Sequence, residues 1–394
     1  MLERANELKD TIVALRRSVH RHPELGFHEH RTAQLVADQL TGLGIRVRTG
    51  VGLTGVVGDL GEGGPVIALR ADMDALPIQE ENDTDYASDV PGVMHACGHD
   101  VHVACLLGAA QILAEQADAG QLPGQVRFLF QPAEEGMDVE GLSGAMRMLD
   151  DGAMEGVDAI AGLHVWPDVP VGAIGVREGI TTAHPDKLEL VIRGKESHGA
   201  YPHQGFDAIT LSAQVIHALQ TVVSRRLDPT KAKVLTIGTI QGGTKENIVA
   251  GEVTMTGTLR TFESDIREAL HAEIERACGV VSALGGEYEL NIIPGYPPII
   301  NDSGMTQLVR EVGSDLLGVD NVVETKLEMG GEDFSYFAQQ APGCFFVLGT
   351  ATPGEPIRTA HHPKFDVDER CLPLGAGLMA EVARRYLGNR SGAG

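Results

Sequence analysis

At 394 residues the chain is longer than one ordinary hydrophobic core organises, so two domains are expected. Hydrophobic residues make up 43% and charged residues 22%, which argues against a disordered chain, and no apolar run reaches membrane-spanning length. A formal net charge of -24 repels phosphate backbones and anionic headgroups, which argues against nucleic acid and membrane as partners and favours small-molecule chemistry.

The opening residues Met1-Leu2-Glu3-Arg4-Ala5-Asn6-Glu7 are polar and acidic, where a signal peptide needs a basic start and an apolar run. Cys97, Cys105, Cys278, Cys344 and Cys371 are scattered and odd in number, so a disulfide framework is not expected and a reduced, cytoplasmic setting is. Leu8, Ile12, Leu15 and Val19 share one face of a helix predicted over residues 2–20, which Pro23 stops. Apolar runs at residues 66–69, 126–130 and 159–163 read as strands, and Leu106, Leu107, Ala110 and Leu113 mark a helix over 103–117. This alternation predicts a mainly parallel sheet flanked by helices, with chemistry in the loops at the strands' carboxyl ends.

The middle of the chain reads differently. Strands at 188–192, 234–238 and 253–260 and helices at 207–224 and 263–284 describe a compact α+β unit. It interrupts the first domain, whose sheet resumes near Pro297 with a strand at 344–349 and a closing helix at 374–387. The predicted organisation is therefore an α/β domain over 1–184 and 297–394, with an inserted domain over 185–296. There is no internal repeat and no low-complexity tract.

Candidate chemistry concentrates in His95-Ala96-Cys97-Gly98-His99-Asp100-Val101-His102, joined by Glu134-Glu135, His164 and His361-His362. Thiolate, imidazole and paired carboxylates are what a metal-activated hydrolase needs. A Cys-x-His pair before a helix turns a thiolate and an imidazole toward one point. Taken alone, Cys97 would read as a buried small residue and His99 as a helix-terminal one. Glu134 and Glu135 are consecutive, so in an extended segment they point to opposite sides and take different jobs.

Seven segments then occur in a telling order. They are His20-Arg21-His22-Pro23-Glu24-Leu25-Gly26, Leu69-Arg70-Ala71-Asp72-Met73-Asp74-Ala75-Leu76-Pro77, Met94 to Asp100, Gln131-Pro132-Ala133-Glu134-Glu135-Gly136, Gly162-Leu163-His164-Val165-Trp166-Pro167, Gly330-Gly331-Glu332-Asp333-Phe334 and His361-His362-Pro363. Over nearly its whole length the chain resembles the M20 metallopeptidases. Within them it is similar to the amidohydrolase branch of hippurate hydrolases, N-acyl-amino-acid amidohydrolases and auxin-conjugate hydrolases.

The resemblance implies two divalent metal ions per subunit, zinc or manganese, with cobalt or nickel also admitted. It implies Cys97 as a bridging ligand, His99, Glu135 and His164 as further ligands, and Glu134 as general base. Either histidine of the His361-His362 doublet reaches a metal from that loop, and the family's position two before the proline selects His361. In the inserted domain, a lid and dimerisation module in relatives, it implies His198 for oxyanion stabilisation and Asn247 and Arg260 for a substrate carboxylate. Asp72 and Asp100 are candidates for orienting imidazoles through the nitrogen that faces away from metal, and Asp100 also reads as a surface or capping residue.

The chain departs from the common pattern at Ser197, Tyr201, Val101 and His184-Pro185, none of which removes a ligand or base. The activity implied is hydrolysis of an N-acyl amino acid to carboxylate and free amino acid by a homodimer or homotetramer. The alternatives are a dipeptidase or carboxypeptidase of the same family, or a noncatalytic metal-binding relative. A metal-free enzyme with Cys97 as nucleophile leaves the other ligand-type residues unexplained.

Overall fold

A computed structural model describes residues 1–391 and divides the chain into two compact units. The first comprises Met1–Thr181, Ile299–Lys326 and the chain from Asp333 on; the second comprises Thr182–Pro298 and Leu327–Glu332.

In the first unit the predicted opening helix is two helices, α1 (Leu2–Glu7) and α2 (Lys9–Arg21), divided at Leu8. Helix α3 (His30–Gly42) leads into an antiparallel hairpin, β1 (Arg46–Val51) and β2 (Gly55–Leu60), which sequence reading missed because β1 is mostly exposed and carries no apolar alternation. Then follow β3 (Val66–Asp72), α4 (His99–Asp118), β4 (Gln125–Gln131) and β5 (Ala159–Pro170). The eight-stranded sheet runs β1, β2, β4, β3, β5, Gly343–Ala351, Ile174–Gly175, Val322–Val323. Its centre, β4 to Gly343–Ala351, is parallel.

Both faces of that centre are buried, which is why β3 and β4 read as apolar runs rather than alternating ones. Ile67, Leu69, Phe128 and Phe130 pack into one core with α2, α4 and the helix Cys371–Ser391, while Ala68 and Leu129 face a second cluster with Met148, Phe334 and Phe337. Each large side chain buried in this way contributes about 2 kcal/mol relative to exposure. Helix α4 is buried almost all round, so it is a core helix rather than a surface one.

The second unit is a four-stranded antiparallel sheet ordered Lys233–Gly242, Glu252–Thr261, His184–Arg193, Glu287–Ile293. Leu188, Leu190, Ile192, Val253 and Met255 cover one face with the helices Ala208–Thr221 and Ser264–Cys278, giving the period-two burial expected of a one-sided sheet. The helix predicted over 263–284 is interrupted at Gly279. Leu327–Glu332 groups with this unit rather than with the domain resumed at Pro297, because Gly330 accepts from the Ala183 amide at 3.2 Å and Met329 from the Arg260 guanidinium at 2.8 Å. No helix among the described residues is long and apolar enough to cross a membrane.

Candidate metal centre

The motif residues of the first unit gather at the carboxyl ends of β3 and β4 and beside the middle of β5, which runs on past the predicted 159–163 and carries His164 within it. Helix α4 starts at His99 rather than at residue 103, so His99 occupies its first turn instead of a preceding loop. Gly98 makes the turn possible. Its φ is +93, and a Cβ there would sit 2.3 Å from Val165 Cγ2, so only glycine lets Cys97 and His99 approach from the two sides of one bend.

Of five sets of donor atoms among the described residues, the members of each lying within 4.8 Å of one another, three join the motif residues: Cys97, His99 and His164; Cys97, Glu135 and His361; and His99, Glu134 and Glu135. Cys97 Sγ is 3.4 Å from His164 Nε2, and His361 Nε2 is 3.0 Å from Glu135 Oε1. The two glutamates therefore converge instead of pointing to opposite sides. They sit in a bend, not an extended segment, because Ala133 before them has a φ of 42.

Hydrogen bonds settle which nitrogens are available. His99 Nδ1 lies 2.8 Å from the Asp74 carbonyl and His164 Nδ1 lies 2.7 Å from the Val165 carbonyl. A carbonyl only accepts, so both Nδ1 atoms carry a proton, which leaves Nε2 as the nitrogen of each ring that is free to ligate once the ring is neutral. His99 Nε2 is buried and makes no hydrogen bond. His102, though close, is spent: Nε2 accepts the Val165 amide at 2.9 Å and Nδ1 donates to Asp72 at 2.5 Å.

Charge in the cluster is closely coupled. Burial pushes the Cys97 thiol up and brings His164 down to about 3, which keeps that imidazole neutral. Burial also opposes ionisation of Glu135, but His361 and His99 hold its carboxyl below the ordinary value. His361 is raised to about 10 by its hydrogen bonds to Cys97 and Glu135. A cationic His361 thus balances the Glu135 carboxylate, a task that divalent ions perform with nitrogen, sulfur and oxygen donors of this kind. The donor types present fit divalent metal.

Of the aspartates considered for orienting roles, Asp72 binds the Arg70 guanidinium at 2.7 Å and His102, while Asp100 binds Arg16 at 2.7 Å and His20 at 2.8 Å. The residue that fixes His99 is Asp74, two places after Asp72 in the same segment. Sequence spacing did not separate the two; the Asp74 carbonyl contact does. His361 also has a left-handed backbone, with a φ of 60, held by its amide donating to Ala96 at 2.8 Å. Residues in such sparse conformations concentrate at functional sites. His362 accepts the Lys364 amide through Nδ1 at 3.1 Å.

His198, Asn247 and Arg260 lie in the second unit. His198 is exposed in the short strand Ser197–His198, paired opposite Ile248, and Gly199 donates to the Asn247 carbonyl at 2.7 Å, so these two candidates are neighbours. Arg260 lies on Glu252–Thr261, its guanidinium bonded to the Met329 carbonyl, the Thr258 hydroxyl and the Leu259 carbonyl, all neutral acceptors.

The model for peptidase family M20/M25/M40 matches residues 68–385. Thermostable carboxypeptidase 2 of Saccharolobus solfataricus is 41% identical over 389 residues, 96% of each chain. N-acetyl-L-cysteine deacetylase of Bacillus subtilis is 39% identical over 386 residues, 96% of this chain and 89% of its own. The crystal structure of the Bacillus subtilis YXEP protein, described as a dinuclear metal binding peptidase from the M20 family, superposes with a TM-score of 0.83 at 36% identity, covering 97% of this chain and 99% of that one. The protein is a hydrolase with a metal-binding constellation at its sheet's carboxyl edge. It belongs to peptidase family M20/M25/M40.

Proposed function

We propose that the protein is a two-metal amidohydrolase that cleaves an N-acyl amino acid into a carboxylic acid and a free amino acid. The observation that carries the reading is the convergence of two donor sets on one thiol, Cys97, with the Glu134 carboxylate beside them. Cys97, His99 and His164 would hold one ion and Cys97, Glu135 and His361 the other. Bound there, the ions, zinc or manganese before cobalt or nickel, would supply Lewis acidity and lower the pKa of water at the centre.

Glu134 takes a proton from the attacking water and then returns it to the departing amine nitrogen, acting in turn as base and acid. Its placement on a bend, nearly buried at 7% exposure, keeps the carboxylate at a fixed distance from the ligand set and limits competing water. Asp74 keeps the His99 lone pair directed inward. His198 is assigned to the oxyanion, and Asn247 and Arg260 to the substrate carboxylate, on the strength of the sequence resemblance; the neutral partners of Arg260 leave its charge available to an anion. The second unit is assigned as the lid and dimerisation domain of a homodimer or homotetramer, and five free cysteines support a reducing, cytoplasmic setting.

The resemblance to a carboxypeptidase keeps short peptides as a second substrate class. One experiment separates them. N-acetyl, N-benzoyl and indole-acetyl amino acids and plain dipeptides are offered to chelator-treated protein, with zinc, manganese or cobalt restored. Metal-dependent release of amino acid from an acyl class supports this reading, release from dipeptides alone favours the peptidase, and no release with metal bound refutes catalysis.

A further inference from the structure

The bend that carries Glu134 and Glu135 is not stable by its own preference. Ala133 is not glycine, yet has a φ of 42, a region that costs an L-residue free energy unless its surroundings impose it. Three contacts impose it here. The Ala133 amide donates to Glu29 Oε1 at 2.8 Å, the Glu135 amide donates to Asp74 Oδ2 at 2.9 Å, and the Ala133 carbonyl accepts the Gly144 amide at 3.0 Å. Gly26 lies against the same turn, and a Cβ there would meet the Ala133 Cβ at 2.9 Å.

Glu29 is the contact that needs explaining. It is wholly buried at the start of α3, and its other oxygen accepts the Thr54 hydroxyl at 2.5 Å. Its partners are a hydroxyl and an amide, not a cation, so nothing compensates the burial of a charge. Burial, with Asp74 nearby, raises its carboxyl to about 7. An apolar side chain of similar volume would serve the core better but would leave the Ala133 amide buried and unpaired.

We propose that Glu29 is a positioning residue for the hydrolytic step: anchored by Thr54, it grips the Ala133 amide and so fixes the bend that aims Glu134. The inference rests on the assignment of Glu134 as general base. Glu29 touches neither donor set, and acts only through the backbone it holds. Thr54 sets the carboxyl's rotamer from β1–β2, so the missed hairpin and the first segment of the chain both have a part in the site.

The test compares Glu29→Met, which keeps the length but removes both acceptors, with Glu29→Gln, whose amide oxygen still accepts the Ala133 N–H and whose NH2 still meets Thr54. Each is assayed with the N-acyl substrate that wild type hydrolyses, well below its unfolding temperature. Glu29→Met is expected to lose about 10- to 100-fold in kcat with KM and metal content unchanged, and Glu29→Gln to restore most of the rate. If Glu29→Met does not fold, Gly26→Ala presses the same turn from the opposite side and is expected to show the same split. Wild-type kcat in Glu29→Met, or in Gly26→Ala where that variant is used, overturns the proposal. So does a loss of metal equal to the loss of rate, which would mark Glu29 as support for the ligands instead. Those results leave the hydrolase assignment standing, whereas absence of turnover in wild type overturns that assignment and this inference with it.

Discussion

Asp74 and His99 are joined twice, through the Asp74 carbonyl at 2.8 Å and its carboxylate at 3.1 Å, both to Nδ1 of the imidazole. The other carboxylate oxygen accepts the Glu135 amide at 2.9 Å, so one side chain aligns two of the donors in the cluster. Contacts of this kind to the far nitrogen of a ligand imidazole set its orientation and basicity.

Asp74→Ala is therefore expected to weaken divalent metal binding by about 10- to 100-fold while the protein stays folded. Competition against a chromophoric chelator measures it. An affinity equal to wild type would show that the Asp74 carbonyl alone orients His99.

Cys97 and Glu134 are expected to separate binding from chemistry. Cys97→Ala should lower the metal content found by elemental analysis, since it removes the atom common to both donor sets. Glu134→Gln should keep the metal and lose turnover by about 100-fold or more. Full metal content in the first variant, or wild-type rate in the second, would contradict the assigned roles.

Arg16 is wholly buried and joins three carboxylates, Asp100 at 2.7 Å, Asp366 at 3.1 Å and Glu369 at 3.3 Å. Replacing it with Met leaves buried like charges facing one another, and a loss of about 3–5 kcal/mol is expected in urea unfolding. A loss below about 1 kcal/mol would mean that these carboxylates are balanced by protonation or by water instead.

In the second unit, Asp186 is nearly buried and accepts from Arg267 at 2.7 Å, His271 at 2.7 Å and the Gly295 amide at 2.9 Å. Burial opposes its ionisation, yet His271, Arg267 and the amide hold the carboxyl well below the ordinary aspartate value. A depressed folded-state pKa gives stability that is present above the unfolded value and is lost as pH falls toward the folded one. Asp186→Asn should thus destabilise the protein near neutral pH, on the order of 3 kcal/mol, with the gap to wild type closing in acid. Thermal unfolding from neutral to acidic pH reads it, and a gap independent of pH would assign the effect to packing.

Much of the site was legible in linear order. Cys97, His99, Glu134, Glu135, His164 and His361 lie in short segments that carry the family resemblance, and the fold brings their donor atoms together. Asp74, His102 and Glu29 were not. Asp72 and Asp74 differ by one alternation, and only the packed chain shows that Asp74 bonds the His99 Nδ1 while Asp72, bonded to Arg70 and His102, lies 3.5 Å from its Nε2. Glu29 gave no signal, since its partner Ala133 is 104 residues away.

Apolar runs at 66–69 and 126–130 between helical segments determined from sequence alone that the first sheet is flanked by helices, whereas the one-sided burial of His184–Arg193 was read from the packed chain. Hydrophobic burial is periodic along a strand, so it is written locally. What the tertiary structure decided was direction: which nitrogen of each imidazole is free, which glutamate bends toward which donor, and that Leu327–Glu332 joins the second unit. Those depend on hydrogen bonds between segments far apart in the chain, whose angles and distances exist only once the strands are registered and the core is packed.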